Sequence, residues 1–95
     1  MSLRDKIKAA RQKKGLSQQR LAKTLGYSSG QFVSNWERGL SYPPVDRLAK
    51  MILIFDLNEE EILNQYIKEL IETKKKVFNK ALEFHKSRAE SQSQD

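Results

Sequence analysis

The blocks Gly15-Leu16-Ser17-Gln18-Gln19-Arg20-Leu21-Ala22-Lys23-Thr24-Leu25-Gly26 and, ten residues later, Trp36-Glu37-Arg38-Gly39 leave this chain little choice of fold. Ser17 is placed to cap a helix, because its hydroxyl can accept from a backbone amide two or three residues on. Leu21, Ala22 and Leu25 then line one apolar face. Gly26 closes the helix at a position where positive φ costs glycine little. A second short helix must end before Gly39, with Val33 and Trp36 three residues apart and facing inward together. Two short helices held at a fixed angle follow, and Ala22 is small enough to let them approach closely.

The rest of the chain also reads as helix. Leu3, Ile7 and Ala10 recur at helical spacing over residues 3 to about 14, where Gly15 stops them. Tyr27-Ser28-Ser29-Gly30 turns the chain, and either Ser28 or Ser29 caps the helix that runs through Gln31, Phe32, Val33 and Trp36. Pro43 and Pro44 make residues 40–44 a loop. A fourth helix then begins at Pro44 or Val45 and is expected to bury Val45, Leu48, Ala49, Ile52 and Leu53. Asn58 followed by Glu59, Glu60 and Glu61 marks the start of a fifth, with a capping side chain and acids where the helix dipole favours them. Leu63, Leu70, Val77 and Phe84 repeat every seventh residue, beside a second stripe of Ile67, Ile71, Phe78 and Leu82, so this helix should run for roughly 25 to 30 residues, over 59–86. The polar stretch 87–95, with no apolar anchor, is expected to fray or be disordered. The expected architecture is all-α with five helices: a domain over 1–58, a long C-terminal amphipathic helix over 59–86 and a tail over 87–95.

Charge divides unevenly along this scheme. Residues 1–58 hold eleven Lys or Arg against four Asp or Glu, a net +7, whereas residues 59–95 hold seven against eight. Excess cations on the two-helix half are the electrostatic footprint of a polyanion binder, since cations displace condensed counterions from phosphate. With no cysteine and one histidine, His85, the chain has no disulfide framework and no cysteine-histidine metal cluster, and no cofactor or small-molecule ligand is expected. No apolar run approaches the roughly 18 residues of a membrane span, and the first residues lack the apolar core of a signal peptide, so a cytoplasmic protein is expected. Nothing pairs a nucleophile with a base or forms a glycine-rich phosphate loop, which argues against an enzyme.

Outward on the third helix lie Gly30, Gln31, Ser34, Asn35 and Arg38. Gln and Asn can make bidentate contacts to adenine in the major groove. The two blocks, with Val33-Ser34-Asn35-Trp36-Glu37-Arg38-Gly39 as the more specific, resemble the Cro/C1-type (XRE family) helix-turn-helix domain of phage repressors and bacterial regulators over residues 3–57. That resemblance implies a sequence-specific binder of double-stranded DNA, a repressor, bacterial or phage-encoded, with a recognition helix over about residues 30–37. It implies base contacts from Gly30, Gln31, Ser34 and Asn35. It further implies phosphate contacts from Gln18, which also buttresses the recognition helix, and a buried ion pair between Arg11 and Glu37. Ser29, Arg38, Ser41 and Tyr42 are further candidate phosphate contacts. A protein-interaction module of the same fold and an antitoxin are the alternatives.

One departure from the family pattern lies in the turn. Ten residues usually separate the small residue of the second helix from the inward β-branched residue of the third, whereas Ala22 and Val33 are eleven apart. An extra residue around Tyr27 to Ser29 keeps Val33 and Trp36 inward; without it Phe32 would take the inward place. The apolar stripe of 59–86 exceeds what a domain of about 55 residues readily covers, so this helix is expected to pair with its copy in a homodimer.

Overall fold

The computed structural model describes residues 1–93, which form five helices: α1 (Leu3–Lys13), α2 (Gln18–Thr24), α3 (Gln31–Glu37), α4 (Val45–Phe55) and α5 (Glu59–Ser93). No strand occurs among the described residues. The chain divides into two compact units, Met1–Gln65 and the remainder from Tyr66.

Local chemistry sets most helix ends. Ser2 Oγ accepts the amide of Asp5 at the start of α1, Ser17 Oγ accepts the amide of Arg20 at 3.0 Å in α2, and Asn58 Oδ1 accepts the amide of Glu61 at 2.8 Å in α5. The first three helices end alike. In each, the amide after the glycine reaches back five residues (Leu16 to Arg11, Tyr27 to Ala22, Leu40 to Asn35) while the glycine's own amide reaches back three. All three glycines have positive φ, as this closure demands. Asp56, at φ 52, takes the same position after α4, with Leu57 bonding back to Ile52; Asp tolerates the left-handed region better than most residues.

The core of the first unit is built from Leu3 and Ile7 of α1, Leu21 and Ala22 of α2, Leu25 just after it, Val33 and Trp36 of α3, Leu48 and Met51 of α4, and Ile62. Val33 is fully buried and Trp36 nearly so, whereas Phe32 is 47 % exposed, so the extra residue does lie in the turn before α3. Tyr27, in that turn, stacks on Phe32 with ring centroids 4.4 Å apart and meets Trp36 edge-on at 5.8 Å. The Arg47 guanidinium of α4 sits over its ring.

Two sequence expectations change. In α4, Leu48 is buried as expected, but Met51 joins it while Val45, Ala49 and Leu53 are exposed and Ile52 is half-buried. The helix carries two interleaved apolar rows, 48 and 51 on one and 45, 49 and 52–53 on the other, and only the first turns toward the core. The second α4 row, with Leu63, lines a shallow apolar groove. Helix α5 is also longer than expected, 35 residues ending at Ser93 rather than near 86. Residues 87–93 contain no glycine or proline to stop it, and Ala, Glu, Gln, Ser and Arg are all compatible with helix. Residues 94 and 95 of the expected frayed tail lie outside the described residues.

Candidate nucleic-acid interface

Helix α3 is only seven residues long, too short to persist alone, so its neighbours must hold it. Its C-terminal end is tied to both preceding helices through one carboxylate. Glu37 Oε2 accepts from Arg11 Nε at 2.6 Å, and Oε1 accepts from Arg11 Nη2 at 3.0 Å and from Gln18 Nε2 at 3.1 Å. The third guanidinium nitrogen of Arg11 donates to the carbonyl of Leu16 at 2.8 Å, so the whole fork is engaged. The side chains are 10 % and 3 % exposed for Arg11 and Glu37 respectively, which makes this a buried pair rather than a surface one.

A second tie reaches the same end from α1. Arg4 Nη1 donates to the carbonyl of Arg38 at 3.1 Å, and its guanidinium occupies the space that a Cβ at Gly39 would need. The positive φ is what calls for glycine at this position, and the missing Cβ leaves the space in which the end of the flexible Arg4 side chain lies. Arg4 and Arg11 lie seven residues apart and so share a face of α1. That spacing is the signal by which Arg4 could have been found in the sequence.

At the N-terminal end the contact is with α2 itself. A Cβ at Gly30 would lie 3.1 Å from the Cα and N of Gln19. The direction a side chain would take at Gly30, one of the positions expected to face bases, is filled by the backbone of α2. Ser29 Oγ accepts the amide of Gln31 at 3.1 Å and supplies the side-chain cap that Gly30 cannot.

The outer face of α3 carries a connected row. Asn35 Oδ1 accepts from Gln31 Nε2 at 2.9 Å and from Arg38 Nη2 at 3.0 Å. Both lone pairs of that oxygen are thereby used, while the Gln31 carbonyl oxygen, the Asn35 amide and further Arg38 N–H groups take no part in the row. Gln31 and Arg38 are exposed; Ser34 and Asn35 are half-buried. Arg38, taken from the sequence as a phosphate contact, thus shares one row with the two amides. Ser41 is exposed and Tyr42 half-buried in the loop before α4, and the Gln18 side chain is directed at Glu37. The row of hydrogen bonds and the packing of Gly30 were not foreseen in the sequence.

The electrostatics around this face are set by cations. Arg20, Lys23 and Arg38 are exposed on and around α2 and α3, and within residues 17–42 the only acid is Glu37, which is neutralised by Arg11. Elsewhere two surface carboxyls are shifted. The Ser2 hydroxyl, donating to Asp5 at 2.8 Å, holds that carboxyl below its ordinary value. A hydrogen bond from Lys6 and its charge do the same for Glu61. Among the described residues no helix is long and apolar enough to cross a membrane.

Comparison with known families matches residues 7–62 to the sequence profile of a helix-turn-helix family, HTH_3, a span running from the middle of α1 into the first turn of α5. No curated protein and no solved structure matches the chain.

Proposed function

We infer the function from a premise: the chain belongs to the Cro/C1-type helix-turn-helix (XRE) family, whose members are DNA-binding regulators. The reading is that of a repressor acting in the cytoplasm of a bacterial or phage-infected cell. Helix α3 enters the major groove of double-stranded DNA, with Gln31, Ser34 and Asn35 toward base edges. Gln18 at the start of α2, Ser29, Arg38, Ser41 and Tyr42 meet phosphates. The observation that supports this best is the row Gln31–Asn35–Arg38, polar and outward on a helix held at both ends.

Gln31 retains the pattern that adenine requires, since its carbonyl oxygen and its second amide hydrogen remain available. Asn35 differs, because a bidentate contact to adenine would need the oxygen that already serves Gln31 and Arg38. It therefore reads a base through its amide group while fixing its two neighbours. The protein acts as a homodimer joined through residues 59–86, and its site is a pseudo-palindrome with half-sites about one helical turn, roughly 34–36 Å, apart.

Selection of bound sequences from random DNA tests this directly. A symmetric site is expected. Gln31→Ala should change the base preferred at one position of each half-site. Neutralising Arg20 or Arg38 should weaken all DNA alike and lower the salt slope by about one. Equal loss on selected and random DNA for Gln31→Ala would remove its base-reading role, and no enrichment from any library would remove DNA binding itself.

A further inference from the structure

The charge along α5 is segregated in a way its near-zero total conceals. Residues 59–72 carry five acids against one lysine, whereas residues 73–88 carry six cations against one acid. From Ile67 onward the same helix bears a stripe of exposed apolar side chains, Ile67, Ile71, Val77, Phe78, Leu82 and Phe84, each 40–64 % accessible. An apolar row of this extent, about 25 Å long at 1.5 Å per residue, marks an interaction face.

We propose that the stripe is covered by α5 of a second copy running antiparallel, the acidic segment of each helix lying along the basic segment of the other. This rests on the dimer proposed above and adds its orientation. Charge complementarity selects the partner and the direction together. Glu60, Ile67, Lys74, Ala81 and Arg88 share one heptad position, next to the row of Leu63, Leu70, Val77 and Phe84. In a parallel pair each heptad position meets its own equivalent, so Glu60, Lys74 and Arg88 would each oppose a like charge, and the acidic and basic segments would each lie against themselves. Turned antiparallel about a two-fold axis near Thr73 and Lys74, the Glu60 end of one helix lies beside the Arg88 end of the other. Only Lys74 stays close to its equivalent at the axis, and its flexible stem can carry the ammonium out of the seam.

The chain has no native cysteine, so single cysteines report the orientation cleanly. In full-length protein, Leu63→Cys and Phe84→Cys should not cross-link to themselves with a short bis-maleimide, but should cross-link when the two variants are mixed and re-annealed. Thr73→Cys, beside the axis, should cross-link to itself. Where Leu63→Cys loosens the helix by circular dichroism, Ile67→Cys mixed with Lys80→Cys provides the same test. Raising salt should weaken the dimer several-fold by sedimentation, because screening removes an attraction. Self-cross-linking at both Leu63→Cys and Phe84→Cys, with a dimer that tightens in salt, overturns the antiparallel arrangement and leaves the dimer standing. A monomer by sedimentation overturns both, and a dimer without cross-links at any of these sites overturns the pairing.

Discussion

Removing either member of the Arg11–Glu37 pair should be among the costliest single changes this domain can undergo. With Glu37 gone, Arg11 Nε and Nη2 lose their acceptors in a place only about a tenth exposed, and the Gln18 amide loses one too. With Arg11 gone, a carboxylate 3 % exposed keeps only the Gln18 amide, and the Leu16 carbonyl loses its donor. Stranding a buried charge in this way costs about 3–5 kcal/mol. For a domain of this size that corresponds to a fall in Tm of roughly 12 °C or more. Replacing both, as Arg11→Met with Glu37→Leu, leaves neither charge stranded and should recover much of the loss. Urea unfolding of the two single variants and the double variant closes a double-mutant cycle, with a coupling of about 2 kcal/mol or more expected. Single costs below about 1 kcal/mol, or costs that add within about 0.5 kcal/mol, would refute the reasoning, since the three helices would then be held by something other than this carboxylate.

Other outcomes follow from the same geometry. Gly39→Ala meets both a left-handed φ and the Arg4 guanidinium, so thermal unfolding should show a loss of about 1–2 kcal/mol from the backbone alone, and adding Arg4→Ala should relieve only the remainder. Glu61 has its folded-state carboxyl pKa depressed by Lys6, so whatever stability it contributes is present above the ordinary carboxylate range and disappears as pH falls through the lowered value. Lys6→Met should return the Glu61 titration, followed by NMR, to that of an unpaired glutamate; an unchanged titration would discount the ion pair.

How much of this could be read from the sequence depended on how local its cause is. Ser17, Asn58 and the three glycines act within a few residues of themselves, and the helix boundaries they set lie where the sequence puts them, within a residue or two. The inward placing of Val33 and Trp36 was legible for the same reason, once the turn was granted an extra residue. The buried row of α4 was not, because both its apolar rows satisfy helical periodicity and only the neighbouring helices decide between them. Gly30 shows the same limit at the candidate site. Its role is set by how closely Gln19 approaches, a distance between helices that no spacing along the chain reports. The end of α5 stayed open because nothing in residues 87–93 compels a stop.

Helix α3 resembles a short beam clamped at both ends. Its first turn bears on the backbone of α2 through Gly30, and its last is fastened by Glu37 to α1 and α2 and by Arg4 to the Arg38 carbonyl. A beam held in this manner can neither roll nor slide without breaking a buried ion pair or forcing backbone against backbone. The polar row on its outer side is consequently set in position when the domain folds. Whatever docks there meets a surface already arranged, and little of the binding free energy is consumed in ordering it.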